Sequence, residues 1–297
     1  MTMPLTAAKE ATDARVKIRR VIHTIHAVTD LAACRAKYLD ILGGLIFAEG
    51  YFAAEDRDMA LLYVANHMIE PMAPRDPTRQ NKPFARYLQR YGQCYHSFEI
   101  KVDNAPELSA MLKAARCKLA SDYGFFFFVR AESTGGVLLE VCERPMPNDL
   151  YDRRNWRPDW SEGHPSTVLR LDHIACVTLD LEAVLRFFTV YLDGQVLVDE
   201  HVAAPQPGRR ILLRLGDTRV AFIQPDHPDT GPLGTFLTPP SSGIYAHVWQ
   251  VEDEARTEAF FHKKGLRTTR EACVSSGLAI EPEDFLGARH EFMSASG

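Results

Sequence analysis

Hydrophobic and polar positions along the chain follow a pattern that recurs four times. Each copy opens with an apolar, strand-like run, passes into a stretch with helical spacing, and ends in further strand-like runs. The fourth copy, which begins at 244–251, is less regular than the others. Because a repeat places equivalent residues at equivalent points in space, the pattern predicts four similar units. Three copies share a histidine followed seven residues later by an aspartate, at His23 and Asp30, His96 and Asp103, and His173 and Asp180.

The first unit shows the predicted order of elements. A strand over 21–28 ends before Asp30, which is a plausible N-cap for a helix over Leu31–Leu42. Gly43 is expected to stop that helix, because glycine readily adopts the left-handed conformation of a C-cap. The order is therefore βαβββ, and the last three strands are expected at 45–51, 59–65 and 67–72.

The units pair into two domains separated by a segment without hydrophobic periodicity. This segment is rich in Pro, Asp and Arg, which is typical of a linker. It also contains Tyr151, Trp156 and Trp160, so we expect it to lie packed along the boundary between the domains. The predicted organisation is a tail over 1–19, a first domain over 20–145, a linker over 146–167 and a second domain over 168–297.

Composition and charge narrow the classes of function. A net charge of -5 and a pI near 6.1 give no electrostatic argument for nucleic-acid binding. The first 20 residues lack the apolar run of a secretory signal, and no segment has the roughly 20 apolar residues of a membrane span. The six cysteines are scattered without a Cys-x-x-Cys pair, which favours a reducing compartment. The expectation is a cytoplasmic protein with a small-molecule substrate and no nucleic-acid or membrane partner; a homodimer stays open.

Four βαβββ units with leading histidines resemble the vicinal oxygen chelate superfamily, which includes glyoxalase I, methylmalonyl-CoA epimerase and the extradiol dioxygenases. The resemblance covers roughly 20–143 and 168–293. It implies an α+β fold in which the four units pair into two cup-shaped mixed-sheet domains, the glyoxalase/bleomycin-resistance/dioxygenase fold. It also implies one divalent metal ion in a cup, held by residues of the first and last strands of each unit.

Four residues of the first domain match the family's ligand positions. They lie in the runs VIHTIHAV, HMIEPMAP, YHSFEIKVD and VLLEVCERP, and the ligand set implied by the resemblance is His23, Glu70, His96 and Glu140. Two imidazoles and two carboxylates suit Mn, Fe, Co, Ni or Zn and leave two coordination positions for water or substrate. Glu140 also needs a cation or a proton on physical grounds alone, because it lies inside an otherwise apolar strand.

The second domain keeps only part of this set. His173 matches the first ligand, and Glu291 could be the closing carboxylate, but alanines occupy the other two positions, Ala221 and Ala246. His247 is one residue away from the ligand register, and a one-residue shift turns a side chain to the opposite face of a strand. The C-terminal domain is therefore expected to shape or close the cavity without binding the metal.

The resemblance leaves the reaction open among three classes. The favoured class is an isomerase or lyase in which the metal stabilises an enolate-like or oxyanion intermediate of a small, oxygenated and conceivably aromatic substrate. The alternatives are an extradiol-type ring-cleaving dioxygenase and a metal-free ligand-sequestering protein. The epimerases carry an additional glutamate where this chain has Leu61, and Tyr63 lies on the same strand face. The candidate catalytic residues are Glu140 and Tyr63, although Tyr63 also suits a structural role in the core.

Overall fold

The computed structural model describes residues 15–146, 148–151, 157, 162–204, 206–237 and 243–295. Most of the predicted N-terminal tail and both linker tryptophans, Trp156 and Trp160, lie outside the described residues. None of the helices within these ranges is long and apolar enough to cross a membrane.

The first half of the chain contains the eight predicted strands in order and four helices, two more than the repeated βαβββ pattern predicts. The strands are β1 (Ile18–Ala27), β2 (Leu45–Phe52), β3 (Arg57–Val64), β4 (His67–Pro74), β5 (Cys94–Val102), β6 (Leu119–Ala120), β7 (Phe126–Val129) and β8 (Leu139–Cys142). The helices are α1 (Leu31–Leu42), α2 (Pro83–Tyr91), α3 (Ala105–Ala114) and the short α4 (Ala131–Thr134).

The second half repeats this arrangement. Its strands are β9 (Val168–Val177), β10 (Gln195–Val202), β11 (Gly208–Leu215), β12 (Thr218–Pro225), β13 (Ile244–Val251), β14 (Thr268–Thr269), β15 (Leu278–Ile280) and β16 (Arg289–Ser294). Its helices are α5 (Leu181–Arg186), which continues as a π-helical turn over Phe187–Tyr191, α6 (Gly231–Leu237) and α7 (Glu254–Lys263), and a 3-10 turn covers Pro282–Phe285.

Two eight-stranded mixed sheets of identical topology result. The strand orders are β2-β3-β4-β1-β5-β8-β7-β6 and β10-β11-β12-β9-β13-β16-β15-β14. In each sheet the first strands of two units pair antiparallel at the centre, and each of them pairs parallel with the last strand of its own unit. The predicted α+β fold of four paired βαβββ units is therefore confirmed.

Local signals in the sequence explain where the helices begin and end. The side chain of Asp30 accepts a hydrogen bond from the backbone N–H of Ala33, and Gly43 ends α1 with a φ of 69°. Asp180 caps α5 in the same way. In the second unit the capping residue is Asn104, while Asp103 accepts instead from the backbone of Lys17. The repeated aspartate thus marks the strand–helix turn in each unit but is not always the cap.

The two halves share one apolar core that includes Phe98, Phe188 and Trp249. Polar contacts cross the same boundary. His26 on β1 donates from Nε2 to the carbonyl of Leu286 at 2.9 Å and accepts at Nδ1 from the hydroxyl of Tyr38 at 3.0 Å. These contacts join the first strand of the chain to the turn before its last strand.

Three further buried histidines lie at this boundary. Thr24 of β1 contacts His67 at 2.9 Å and His247 of the other half at 3.1 Å through its hydroxyl. His290 accepts at Nδ1 from the indole N–H of Trp249 at 3.0 Å. Since desolvation favours the neutral form of an imidazole, burial keeps the pKa of each of these histidines below its usual range.

Acidification to about pH 5 is expected to lower the free energy of unfolding. Burial lowers the pKa of His26 to about 4 and that of His67 to about 3, against an ordinary value of 6.5. At a pH between the folded and the ordinary pKa, the histidine is protonated in the unfolded chain but stays neutral in the folded one. Each of these histidines therefore lowers the free energy of unfolding by about 1–2 kcal/mol at pH 5. Urea unfolding at about pH 7.5 and pH 5, followed by circular dichroism, measures this loss.

Comparing one histidine variant with a matched control tests whether the loss of stability at low pH arises at the boundary between the halves. His26→Gln should be less stable than the wild type near neutral pH but should lose less stability on acidification. His201→Gln removes an exposed histidine that pairs with Asp226 and should keep the full loss. Equal pH dependence in the two variants would contradict the assignment.

Candidate metal centre

The concave face of the first sheet brings three carboxylates to one buried histidine. His23 lies on β1, the central strand, between β4 and β5. Glu70 of β4 is the parallel partner of Ile25, two residues along β1 from His23. Glu99 of β5 and Glu140 of β8 are direct neighbours across the adjacent parallel pair. The topology therefore collects one imidazole and three carboxylates from four consecutive strands of the sheet.

The distances within this group are short. Nε2 of His23 lies 3.0 Å from a carboxylate oxygen of Glu70 and 3.7 Å from one of Glu140, and Nδ1 lies 3.6 Å from Glu99. Ligand atoms of His23, Glu99 and Glu140 all lie within 4.8 Å of one another. Within the described ranges this is the one group of three or more His, Cys, Asp or Glu residues that is arranged to hold a metal ion.

Burial makes this arrangement electrostatically demanding. Glu70, Glu99 and Glu140 are 3%, 2% and 6% exposed, and His23 is fully buried. Burial and the adjacent Glu140 raise the pKa of Glu99 well above its ordinary value. Burial lowers the pKa of His23, but the carboxylates of Glu70 and Glu99 raise it further, and the net shift is well upward. The chain therefore favours positive charge at the centre of the group.

Several atoms of this group make no hydrogen bond to the described residues. Both ring nitrogens of His23, Oε1 of Glu99 and Oε2 of Glu140 are buried and make no hydrogen bond within the described residues, although the nitrogens lie close to carboxylates. The lone pairs of these atoms point toward one another without forming hydrogen bonds. This is the arrangement expected around a bound cation. Oxygen and imidazole donors suit a divalent transition metal, so the residues fit the predicted cofactor.

His96, the fourth residue of the predicted ligand set, lies in a neighbouring pocket. Pairing between β1 and β5 is irregular between Ser97 and Tyr95, and this bulge places His96 further along the concave face. Its ring lies 4.3 Å from that of Tyr87, and its Nδ1 is 2.9 Å from the hydroxyl of Ser97. Burial and the nearby Arg57 lower the pKa of His96 to about 3, so the ring is neutral at physiological pH. The structure thus groups Glu99, rather than His96, with the other three predicted ligands.

Tyr63, the second candidate catalytic residue, is held in a polar network with Arg20 and Asp149. Its hydroxyl donates to Asp149 at 2.6 Å and accepts from Arg20 at 3.2 Å. Burial raises the pKa of Tyr63 above its ordinary value, and the hydrogen bond to Asp149 adds to the shift while Arg20 opposes it. Asp149 is 1% exposed, so the described start of the predicted linker packs onto the first domain at this point.

The second sheet has the same framework with different residues. Ala221 pairs with Ala175, two residues after His173, and so takes the position of Glu70. The pairing of β13 with β9 makes Tyr245 the equivalent of His96 and Ala246 that of Ser97, so the predicted register of this strand was wrong by one residue. His247 lies on the opposite face, at the boundary between the halves.

Glu291 takes the position of Glu140, but its carboxylate already accepts four hydrogen bonds. Its carboxylate accepts from the backbone N–H groups of Cys273, Val274 and Ser275 and from Nε of Arg289, all within 3.1 Å. A carboxylate with four donors holds a loop in place and has no need of a metal. Among the described residues, the positions of Glu70 and Glu140 in the second cup are therefore taken by Ala221 and by a carboxylate that is already hydrogen-bonded.

No family model matches the chain, and no curated protein matches it by sequence. Solved structures do match its fold. A mutant of 4-hydroxymandelate synthase from Streptomyces coelicolor is 18% identical with a TM-score of 0.62, and the match covers 84% of this chain and 76% of that one. An extradiol ring-cleaving dioxygenase from B. fuscum is 15% identical with a TM-score of 0.60, over 96% of this chain and 74% of that one. The 2,3-dioxygenase LapB from Pseudomonas sp. KL28 is 14% identical with a TM-score of 0.58, over 96% and 94%.

These identities establish the fold alone. The solved proteins share the paired-unit architecture of the vicinal oxygen chelate superfamily, so the resemblance predicted from the histidine-led repeats is confirmed at the level of the fold. The roles of individual residues rest on the geometry of this chain.

Tyr63→Phe is expected to lower the free energy of unfolding by about 1–3 kcal/mol, because it leaves buried Asp149 without one of its donors. Urea unfolding measures the change. The matched control is Tyr51→Phe, which removes a comparable hydroxyl–aspartate contact from a side chain that is 43% exposed and should cost much less. Equal decreases in the free energy of unfolding would show that the buried hydrogen bonds of Tyr63 stabilise the fold no more than the exposed contact of Tyr51 does.

Proposed function

We propose that the chain is a divalent-metal-dependent enzyme of isomerase or lyase type. Its substrate would be a small oxygenated molecule that passes through an enolate-like or oxyanion intermediate. The observation that supports the proposal is the buried cluster of His23, Glu99 and Glu140, with Glu70 beside His23. Within the described residues, both ring nitrogens of His23 and one carboxylate oxygen each of Glu99 and Glu140 make no hydrogen bond. When bound, the metal would supply Lewis acidity that stabilises negative charge on substrate oxygens.

A pocket beside the cluster offers a place for the substrate. It has a volume of about 270 Å³ and shares Ile25 and Met72 with the concave face. Phe84, Tyr87 and Phe128 form its aromatic wall, together with His96. This aromatic wall would suit a flat substrate body, and the charged residues Glu55, Arg57, Arg130 and Glu132 line the rest of the pocket. In this proposal His96 contacts the substrate as a neutral imidazole.

Glu99 is the residue best suited to hold or give up a proton. It lies against Glu140, and two carboxyl groups so close cannot both ionise without compensation. Glu140, the predicted catalytic carboxylate, would hold the metal, while Glu99 could either complete the ligand set or act as general base. Tyr63 is proposed as a positioning residue, since its hydroxyl is already bound by Asp149.

Metal analysis of variants separates these roles. We expect about one metal ion per chain in the wild type and substantial loss in His23→Ala and Glu140→Gln, since each removes a ligand. His173→Ala changes the equivalent histidine of the second cup and should retain the metal. Inductively coupled plasma mass spectrometry of the purified proteins gives the content. Retention by His23→Ala together with loss by His173→Ala would refute the proposed site.

Metal content also shows whether Glu99 or His96 is the fourth ligand. If Glu99 is a ligand, Glu99→Gln loses metal; if it is a general base, the variant keeps metal but loses turnover. His96→Ala should keep its metal if the ring lines the substrate pocket. Metal loss in His96→Ala would restore the ligand set implied by the sequence.

Ring cleavage by dioxygen is the second candidate, because the adjacent pocket is aromatic. Three carboxylates around His23 argue against it, since a dioxygenase must keep coordination positions open for both substrate and oxygen. We therefore expect turnover to be unchanged under strict anaerobiosis. An oxygen electrode and mass spectrometry of the product test this: oxygen consumption with oxygen incorporated into the product would establish the dioxygenase instead.

A further inference from the structure

The concave face of the second sheet forms a cavity that the proposed metal chemistry does not use. It has a volume of about 600 Å³ and is lined by residues of β9 to β13 and β16, by Ala204 and Gln206 after β10, and by the loop over 273–276. It contrasts with the first cup in charge, since arginines predominate where the first cup has carboxylates. The titratable and charged groups that line it are Arg170, Asp172, His173, Arg210, Arg219 and Cys273.

The single acidic group of this lining is already neutralised. Asp172 accepts hydrogen bonds from Nδ1 of His173 at 2.7 Å and from Nε2 of Gln250 at 2.6 Å, and it forms an ion pair with Arg219. Its carboxylate therefore orients the neighbouring donors and adds little repulsion toward an anion in the cavity.

Arg170 is the cation most available to a ligand. Its Nε donates to the side-chain carbonyl of Gln250 at 2.8 Å, which fixes the direction of the guanidinium. In the described part of the chain no carboxylate forms an ion pair with Arg170. Arg210, by comparison, is paired with Glu200 outside the cavity lining. Arg170 can thus offer its remaining N–H groups to a carboxylate or phosphate oxygen.

His173 supplies a second, independent feature. It is 6% exposed and lines the cavity, and its Nε2 is buried without a hydrogen-bond partner among the described residues. The carboxylate of Asp172 can only accept, so Nδ1 donates to it, and in the tautomer with its proton on Nδ1 the other nitrogen, Nε2, accepts. A buried acceptor without a partner costs free energy unless a ligand hydroxyl or water satisfies it.

The apolar part of the lining is aliphatic. Leu212, Ile223, Val274 and Met293 line the cavity beside polar residues such as Gln206 and Ser275, and the described lining contains no Phe, Tyr or Trp. A ligand that fills this space would therefore have a flexible aliphatic body instead of a ring that needs stacking partners.

We propose that the second cup is a binding site for a small organic anion with an aliphatic body and a hydroxyl group. The anionic group contacts Arg170, with Arg219 and Arg210 beside it. The hydroxyl donates to Nε2 of His173, and the aliphatic body lies on Leu212 and Ile223. The second domain thus has a ligand of its own and is more than a support for the first.

Isothermal titration calorimetry of the full chain with 3-hydroxyhexanoate, hexanoate and 1-hexanol tests the proposal. We expect saturable binding of both carboxylates, a several-fold preference for the hydroxylated one, and no saturable binding of the alcohol. Arg170→Gln should weaken the binding of both carboxylates at least tenfold. The matched control, Arg214→Gln, changes an arginine of β11 outside the cavity lining and should bind as the wild type does.

His173→Phe should bind 3-hydroxyhexanoate and hexanoate alike, because it removes the acceptor for the hydroxyl. Metal content, measured on the same proteins, should be unchanged in every variant, so this result is independent of the proposed metal centre. Equal affinities in Arg170→Gln and Arg214→Gln, or no saturable binding of either carboxylate by the wild type, would overturn the proposal. A hydroxyl preference that persists in His173→Phe would refute the role of His173.

Discussion

Three carboxylates and one imidazole buried on the same concave face impose the dominant constraint on this molecule. Carboxylates removed from water repel one another strongly unless a cation or protons compensate them. Glu70, Glu99 and Glu140 come from three strands, so their separation is set by sheet register and cannot relax by side-chain rotation alone. The sheet must hold His23 at their centre, and the irregular pairing of β1 with β5 around this residue is part of how it does so.

The repeat shows how one framework serves two kinds of cup. Corresponding strands pair in the same order and nearly the same register in both halves. What differs is the set of side chains on the concave face: Glu70 is replaced by Ala221, and the carboxylate of Glu291 is bound by a loop backbone. Arginines then make the second cup attractive to anions. Charge on the concave face, more than backbone geometry, therefore distinguishes the two halves.

Much of this could be predicted from the sequence, because local signals carry it. Asp30 and Gly43 define α1, and three of the four residues predicted as ligands meet at one point. Glu99 escaped notice although it shares the signal that singled out Glu140, a carboxylate inside an apolar strand. Helix α2 was also missed, although Pro83 stands at its first turn, where proline is favoured.

Other features depend on long-range geometry that no local signal contains. The position of His96 follows from a bulge between Ser97 and Tyr95, and a bulge depends on pairing with a partner strand. The hydrogen bonds of Glu291 depend on the conformation of the loop at Cys273, and the pattern of strand residues does not predict that conformation. The burial of His26 and His247 depends on contact between halves of the chain.

The contact between His26 and Leu286 spans 260 positions of the chain, which matters during synthesis on the ribosome. Domains generally fold as units as they emerge, at roughly 5–20 residues per second. The first domain would then wait roughly 10–30 s for the last strand of the second. Throughout that interval Tyr95 and the ring of His26 would lack their contacts with Arg289 and Leu286. The nascent chain is thus exposed to wrong pairing between neighbouring polypeptides, and slow translation of the second half would lengthen that exposure.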